Sequence, residues 1–152
     1  MMAATQERPY SILITDDDVV CRETLRSIIE PQGYRTVLAG SGEEALDIVR
    51  ETPVHLAVLD VHLPRLTGLE TLELVHQINA MLPCILVTAD ATAELVRQAL
   101  RARAYSVIPK PISKGVFLYT VVRALMQVYG GTVEEEQRTN PHGSEPQQEQ
   151  PG

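Results

Sequence analysis

His55-Leu56-Ala57-Val58-Leu59-Asp60-Val61-His62-Leu63-Pro64 contains an apolar run that stops at an acid and passes straight into a loop. A short run without polar alternation reads as a strand buried on both faces. The carboxylate at its end has left the apolar layer but still sits on a rigid element, which is where α/β sheets keep their chemistry. Three other stretches share this form. Residues 10–15 (YSILIT) run into Asp16-Asp17-Asp18, residues 84–88 (CILVT) end on Thr88, and residues 105–110 (YSVIPK) end on Lys110.

Between these runs the apolar period changes from continuous to helical. Cys21, Leu25, Ile28 and Ile29 recur at helical spacing behind Asp18, the expected N-cap, until Pro31 and Gly33 stop the pattern. Residues 34–39 (YRTVLA) read as a further strand, followed by a helix over 43–51. Ser41 with Glu44, and Thr67 with Glu70, have capping-box spacing, the second pair opening a helix to about residue 79. Gly40 and Gly42 lack the third glycine and the GK[ST] ending of a phosphate cradle. A fourth helix is expected over 92–103, with Leu95, Val96, Ala99 and Leu100 on one side, and a fifth over about 113–129. Gly130-Gly131 stops it.

Five strands alternating with five helices predict an α/β fold, a three-layer α/β/α sandwich around a five-stranded parallel sheet. Pro109 places the fifth strand at an edge, since proline cannot donate to a ladder. With right-handed crossovers the expected order is 2-1-3-4-5, flavodoxin-like, (βα)5. That order sets the ends of strands one and three side by side. Residues 9–130 are expected to form this domain, with an N-terminal extension over 1–8 and a polar, acidic, disordered tail over 131–152.

Bulk properties agree with a single domain. The 152 residues are 44% hydrophobic, no stretch approaches the roughly 18 apolar residues of a membrane span, and the N-terminus has no signal-peptide core. A cytoplasmic protein with no membrane association is the expectation. A net charge of −7 argues against gripping nucleic-acid backbones. Arg97, Arg101 and Arg103 are read as a solvated face, and no direct nucleic-acid binding is expected. Cys21 and Cys84 have no metal or CxxC spacing and are expected to be reduced thiols in or near the core.

In the expected topology Asp16, Asp17, Asp60, Thr88 and Lys110 reach one rim. Carboxylates within about 4 Å of one another repel by about 4 kcal/mol per pair at an effective dielectric near 20, so they require a cation or shared protons. An all-oxygen set selects a hard ion, and a shallow site that keeps several waters suits Mg²⁺. A carboxylate can also act as a nucleophile toward phosphorus, with Lys110 and the Thr88 hydroxyl to meet the phosphoryl oxygens.

ILITDDD at strand one, LAVLDVHLPRLTGLE around Asp60, ILVTADA at strand four and the Lys110-Pro111 pair form an ordered motif set. By these motifs, residues 9–130 resemble the receiver domain of bacterial two-component response regulators, most like the stand-alone chemotaxis type. The resemblance implies that Asp60 accepts a phosphoryl group from a sensor histidine kinase or a histidine phosphotransfer protein. It also implies that Asp17, Asp60 and the His62 backbone carbonyl ligate Mg²⁺, with Asp16 acting mainly through metal-bound water. Thr88 and Lys110 would contact the phosphoryl group, and the Lys110–Pro111 bond would be cis. Such a protein is no enzyme beyond its own phosphorylation and dephosphorylation, and it signals by phosphorylation-dependent protein–protein interaction.

Departures from the family pattern generate further expectations. Val107 occupies the switch position where an aromatic residue is usual. Tyr105, two residues earlier, shares its face by strand alternation, at an offset of about 6.6 Å. Arg65 and Arg103 stand where glycine is common. The His62 side chain is expected to face solvent, with only its carbonyl in use, and His55, His76 and His142 to be structural or surface groups. The apolar side chains of the last helix cover an arc of roughly 220°, wider than sheet packing needs, which suggests docking of a downstream protein or a second copy in a homodimer. Two alternatives stand beside this reading. One is a receiver-like interaction module that works without phosphate. The other is an aspartyl-phosphate hydrolase, weakened by Asp60-x-His62 in place of the usual DxD.

Overall fold

The computed structural model describes residues 10–130. The expected extension over 1–8 and tail over 131–152 lie outside the described residues. Five strands, β1 (Ser11–Thr15), β2 (Arg35–Ala39), β3 (Leu56–Asp60), β4 (Cys84–Thr88) and β5 (Ser106–Pro109), alternate with five helices. The helices are α1 (Val19–Ile29), α2 (Gly42–Glu51), α3 (Gly68–Ile78), α4 (Ala93–Arg101) and α5 (Lys114–Leu125). All strand pairs are parallel and the order is β2-β1-β3-β4-β5, as the edge placement of Pro109 predicts.

The continuous apolar strands feed two cores. Ile12, Ile14, Val58, Ile85, Val87 and Ile108 pack with Leu25 and Ile29 of α1 and Phe117, Val121 and Leu125 of α5. Their strand neighbours Leu13, Ala57, Leu59, Cys84 and Leu86 pack on the other face with Ala45 and Leu46 of α2, Leu72 and Val75 of α3 and Ala99 of α4. Alternation along each strand therefore serves both layers, and this is why no polar residue interrupts the runs.

Helix starts follow the sequence signals. Asp18 accepts the Val20 N–H, Thr92 that of Leu95 and Ser113 that of Val116. Thr67 and Glu70 form the reciprocal capping box. At α2 the box is displaced: Ser41 accepts the Glu44 N–H, but the Glu44 carboxylate takes the N–H of Gly40, one residue before the cap.

Helix ends depart more from expectation. α4 stops two residues early, at Arg101, because the Arg103 N–H bonds the Leu100 carbonyl and the Ala104 N–H bonds the Ala99 carbonyl. This is the Schellman closure, and it forces Arg103 to φ 66°. α5 gives way after Leu125 to a wider π-helical turn, Met126–Gly130, whose Tyr129 hydroxyl donates to the His55 carbonyl at 2.8 Å. The Tyr129 ring sits 5.5 Å from that of Tyr10 and 5.3 Å from that of His55.

The broad apolar arc of α5 divides: Phe117, Val121, Ala124 and Leu125 are buried, whereas Val116, Tyr119 and Met126 are exposed. Tyr105 is a correction. The fifth strand begins only at Ser106, so alternation does not extend back to Tyr105. Tyr105 packs with the α1/α5 layer, whereas Val107 packs with the α2/α3/α4 layer.

Two predictions follow from backbone geometry. A Cβ on Gly68 would overlap the Asp60 carbonyl, with no flexible side-chain end to give way. Gly68→Ala is expected to cost about 1–3 kcal/mol by urea denaturation, whereas Gly115→Ala, in open space on α5, gains up to about 1 kcal/mol. Arg103→Gly relieves the left-handed backbone and leaves stability unchanged or raised by up to about 1 kcal/mol. The same change at helical Arg101 lowers it by about 1 kcal/mol.

Candidate functional site

Parallel register assembles the rim. Thr15 lies opposite Leu59, so Asp16 and Asp60 leave the sheet on adjacent strands at the same level. Asp60 lies opposite Val87, which sets Thr88 one residue further out, and Thr88 lies opposite Pro109, which sets Lys110 one further again. The ladder continues through the Lys110 N–H to the Thr88 carbonyl at 2.7 Å, and the Lys110–Pro111 bond is cis. The long Lys110 side chain spans this stagger. Its Nζ donates to Oδ2 of Asp16 and to Oδ2 of Asp60, each at 3.3 Å.

Asp16 and Asp60 are 1% and 6% exposed, whereas Asp17 is open to solvent. One oxygen from each of the three carboxylates falls within a set spanning 4.8 Å. The second oxygens of the buried pair are already engaged, Asp16 Oδ1 by the Asp18 N–H at 2.9 Å and Asp60 Oδ1 by the His62 N–H at 3.2 Å. Three acids face one ammonium group. Burying such an excess is unfavourable unless a cation answers it, and the all-oxygen donor set with one solvent-open member fits a hard divalent ion such as Mg²⁺.

Burial raises the Asp60 pKa above the usual carboxylate range and the Asp16 charge adds to this, against the His62 N–H and Lys110. For Lys110, burial acts to lower the pKa, but Asp16 and Asp60 outweigh it and hold the value above the ordinary lysine range. Cys21 lies against Asp16 and Lys110. Its thiol is pushed up to about 11, first by burial and then by Asp16, so it stays protonated and is a poor nucleophile. Cys84 is fully buried, and both cysteines are free thiols.

The imidazole of His62 departs from the expected arrangement. The residue is exposed, yet its Nε2 lies 3.2 Å from the hydroxyl of fully buried Thr88. The Thr88 oxygen also accepts the Asp90 N–H at 3.0 Å. Val107 sits in the core layer and brings no ring to the rim. His55 is structural: its Nδ1 accepts the Ser11 N–H, and burial lowers its pKa. His76 joins α3 to the carbonyls of Leu82 and Ala102. Both positions match a structural role, whereas His142 lies outside the described residues. Arg65, at φ 65°, pairs with exposed Glu43, a contact worth little in water. An open groove of about 500 Å³ starts at Asp17 and His62 and passes Thr67 toward Leu69, Leu95 and Gln98.

Sequence reasoning did not foresee three of these features: the ring of His62 on Thr88, the support of Thr88 by the Asp90 backbone, and the contact of Gly68 with Asp60. Only the last leaves a local signal, a glycine at the first turn of a helix directly behind the acid.

The family model for the response regulator receiver domain matches residues 12–122. Among curated proteins, the chain is 40% identical over 106 residues to the response regulator MprA of Mycolicibacterium vanbaalenii, covering 69% of this chain and 46% of that protein. It is 30% identical over 118 residues to the transcriptional regulatory protein ZraR of Escherichia coli, covering 78% of this chain and 27% of that protein. The chain thus spans less than half the length of either relative. Among solved structures, the CheY-like receiver domain protein of Methanospirillum hungatei superposes with a TM-score of 0.77 at 30% identity, covering 80% of this chain and 98% of that one.

Because folding raises the Asp60 pKa, ionisation of Asp60 lowers stability as pH climbs through its folded value, and the penalty is absent below about pH 4, where the unfolded aspartate is itself protonated. In metal-free buffer at pH 7, Asp60→Asn is therefore expected to melt several degrees above the unaltered chain. The gap should close toward pH 4. Added Mg²⁺ should raise the melting temperature of the unaltered chain and raise that of the variant less.

Proposed function

Since the chain belongs to the response regulator receiver family, we propose that it accepts a phosphoryl group on Asp60 and signals through the change this makes to its surface. The observation that carries the reading is the convergence on Asp60: a carboxylate at the end of a central strand, with Lys110 Nζ at 3.3 Å and Asp16 and Asp17 beside it. A bound Mg²⁺, held by Asp17, Asp60 and the His62 carbonyl with Asp16 through water, would supply positive charge for the phosphoryl oxygens.

The chain's own groups divide the work. An Asp60 carboxylate oxygen forms the new O–P bond while the donor's P–N bond, or the P–O bond of an acyl phosphate, breaks and its electron pair leaves with the donor. Lys110, already tethered to Asp16 and Asp60, needs little movement to meet a phosphoryl oxygen. Thr88 would donate its hydroxyl to another. In this reading the donor is a sensor histidine kinase or a histidine phosphotransfer protein. In the same reading the receiver domain works in the cytoplasm and catalyses nothing beyond its own modification and its reversal. No described helix is long and apolar enough to cross a membrane.

Exposed Val116 and Tyr119 on α5, Met126 in the turn that follows it and Leu100 on α4 offer apolar surface for a downstream protein or a second copy. Protein contact rather than direct nucleic-acid binding is the proposed output. A second reading, an interaction module that works without phosphate, draws support from Val107 and from the absence of a ring at that position.

Incubation with Mg²⁺ and a small acyl phosphate, followed by intact-mass measurement, separates the two. A species heavier by about 80 Da, the mass of HPO₃, is expected for the unaltered chain and not for Asp60→Asn. Persistence of that species in the variant would remove Asp60 as acceptor, and its absence from the unaltered chain would favour the phosphate-independent module.

A further inference from the structure

Thr88 is fully buried at the end of β4, and its hydroxyl is already in use. A hydroxyl offers one proton and two lone pairs. The Asp90 N–H, 3.0 Å away, can only donate and takes a lone pair. His62 Nε2, at 3.2 Å, takes either the proton or the remaining lone pair, according to its tautomer. With either tautomer the imidazole holds the hydroxyl oxygen toward the loop that follows β3. Among the described residues, Thr88 makes no hydrogen bond to Asp60, whose carboxylate is engaged by the His62 backbone N–H and by Lys110.

The ring has somewhere to go. His62 is exposed and lines the open groove that runs from Asp17 toward Leu95 and Gln98 of α4. A side-chain rotation carries the imidazole from a buried hydroxyl into solvent at little cost, because water can replace a lost hydrogen bond there. Neither Val107 on β5 nor Tyr105 just before it can play this part. Val107 has no ring and is packed in the α2/α3/α4 layer, whereas Tyr105 belongs to the opposite layer.

We propose that the His62 imidazole is a latch on Thr88, holding its hydroxyl away from Asp60 in the unmodified chain and swinging into the groove beside Asp17 and Leu95 once that hydroxyl turns to a phosphoryl group. The inference rests on the reading of Asp60 as phosphoacceptor. His62 is here a positioning residue that acts through Thr88. The exchange runs downhill because a hydroxyl bonds a charged phosphoryl oxygen more strongly than it bonds a ring nitrogen. Its outcome is a repositioned ring at the mouth of the groove between the β3–α3 loop and α4, so modification of a buried carboxylate reshapes an exposed surface.

The test uses the full 152-residue chain with fluoroberyllate, which mimics a phosphoryl group on a carboxylate, at saturating Mg²⁺. Affinity is measured by calorimetry for the unaltered chain, His62→Leu, Thr88→Val and the double variant. Removing the competing bond should tighten fluoroberyllate binding roughly two- to tenfold when Thr88 is present, the worth of one hydrogen bond, and should have no effect in the Thr88→Val background. The second readout needs no substitution: the ring carbon–proton resonance of His62 should move to a solvent-exposed position on saturation. Equal effects of His62→Leu in both backgrounds, weaker binding in His62→Leu, or an unmoved ring resonance overturns the latch. Failure of the unaltered chain to bind fluoroberyllate saturably overturns the phosphoacceptor reading and the latch with it.

Discussion

Two carboxylates, Asp16 and Asp60, are carried almost wholly out of water by adjacent central strands, and the surrounding site is arranged to answer their charge. Burying such charges without partners is costly. Lys110 reaches both from the far edge of the sheet, the Asp18 and His62 backbone N–H groups take one oxygen of each, and Asp17 stands open beside them. One ammonium group against three acids leaves negative charge in excess. A bound cation would relieve that excess. The site thereby favours a divalent ion without any soft or imidazole ligand in the acidic cluster.

That arrangement depends on a rigid support. The strands ending at Thr15, Asp60, Thr88 and Pro109 are packed on both faces, and their register sets how far each polar residue stands above the sheet. The Asp60 backbone is held from below by Gly68 at the start of α3, which itself is fixed by the Thr67–Glu70 capping box. A capping signal in the sequence thus becomes a positioning device for chemistry one loop away. Around this frame the loops carry further side chains of the rim: His62 and Arg65 after β3, and Asp90 after β4.

Legibility of the site follows the range of the interactions. Asp60 is conspicuous because a charged residue ends an apolar run, and the same contrast marks Asp16, Thr88 and Lys110. Their meeting needs only the strand order, which Pro109 at an edge and right-handed crossovers nearly dictate. The early end of α4 was less legible. Arg103 is a poor left-handed residue, and nothing local announces that Ala104 will close onto Ala99. Tyr105 misleads for a related reason, since period-two reasoning holds only inside a strand and β5 begins one residue later.

By itself the sequence determined the kind and order of the elements, most helix starts, the sheet order and which side chains stand at the rim, because these follow from local periodicity, capping and the two-faced burial of apolar strands. Only the tertiary structure decided which atoms meet there. Lys110 finds Asp16 across 94 residues, and His62 finds Thr88 across 26. Such contacts are set by strand stagger and loop path to within an ångström, and no pattern along the chain encodes that. The same holds for the layer that Tyr105 joins and for the seating of Tyr129 on His55, where packing between distant elements, rather than any local preference, chose the partner.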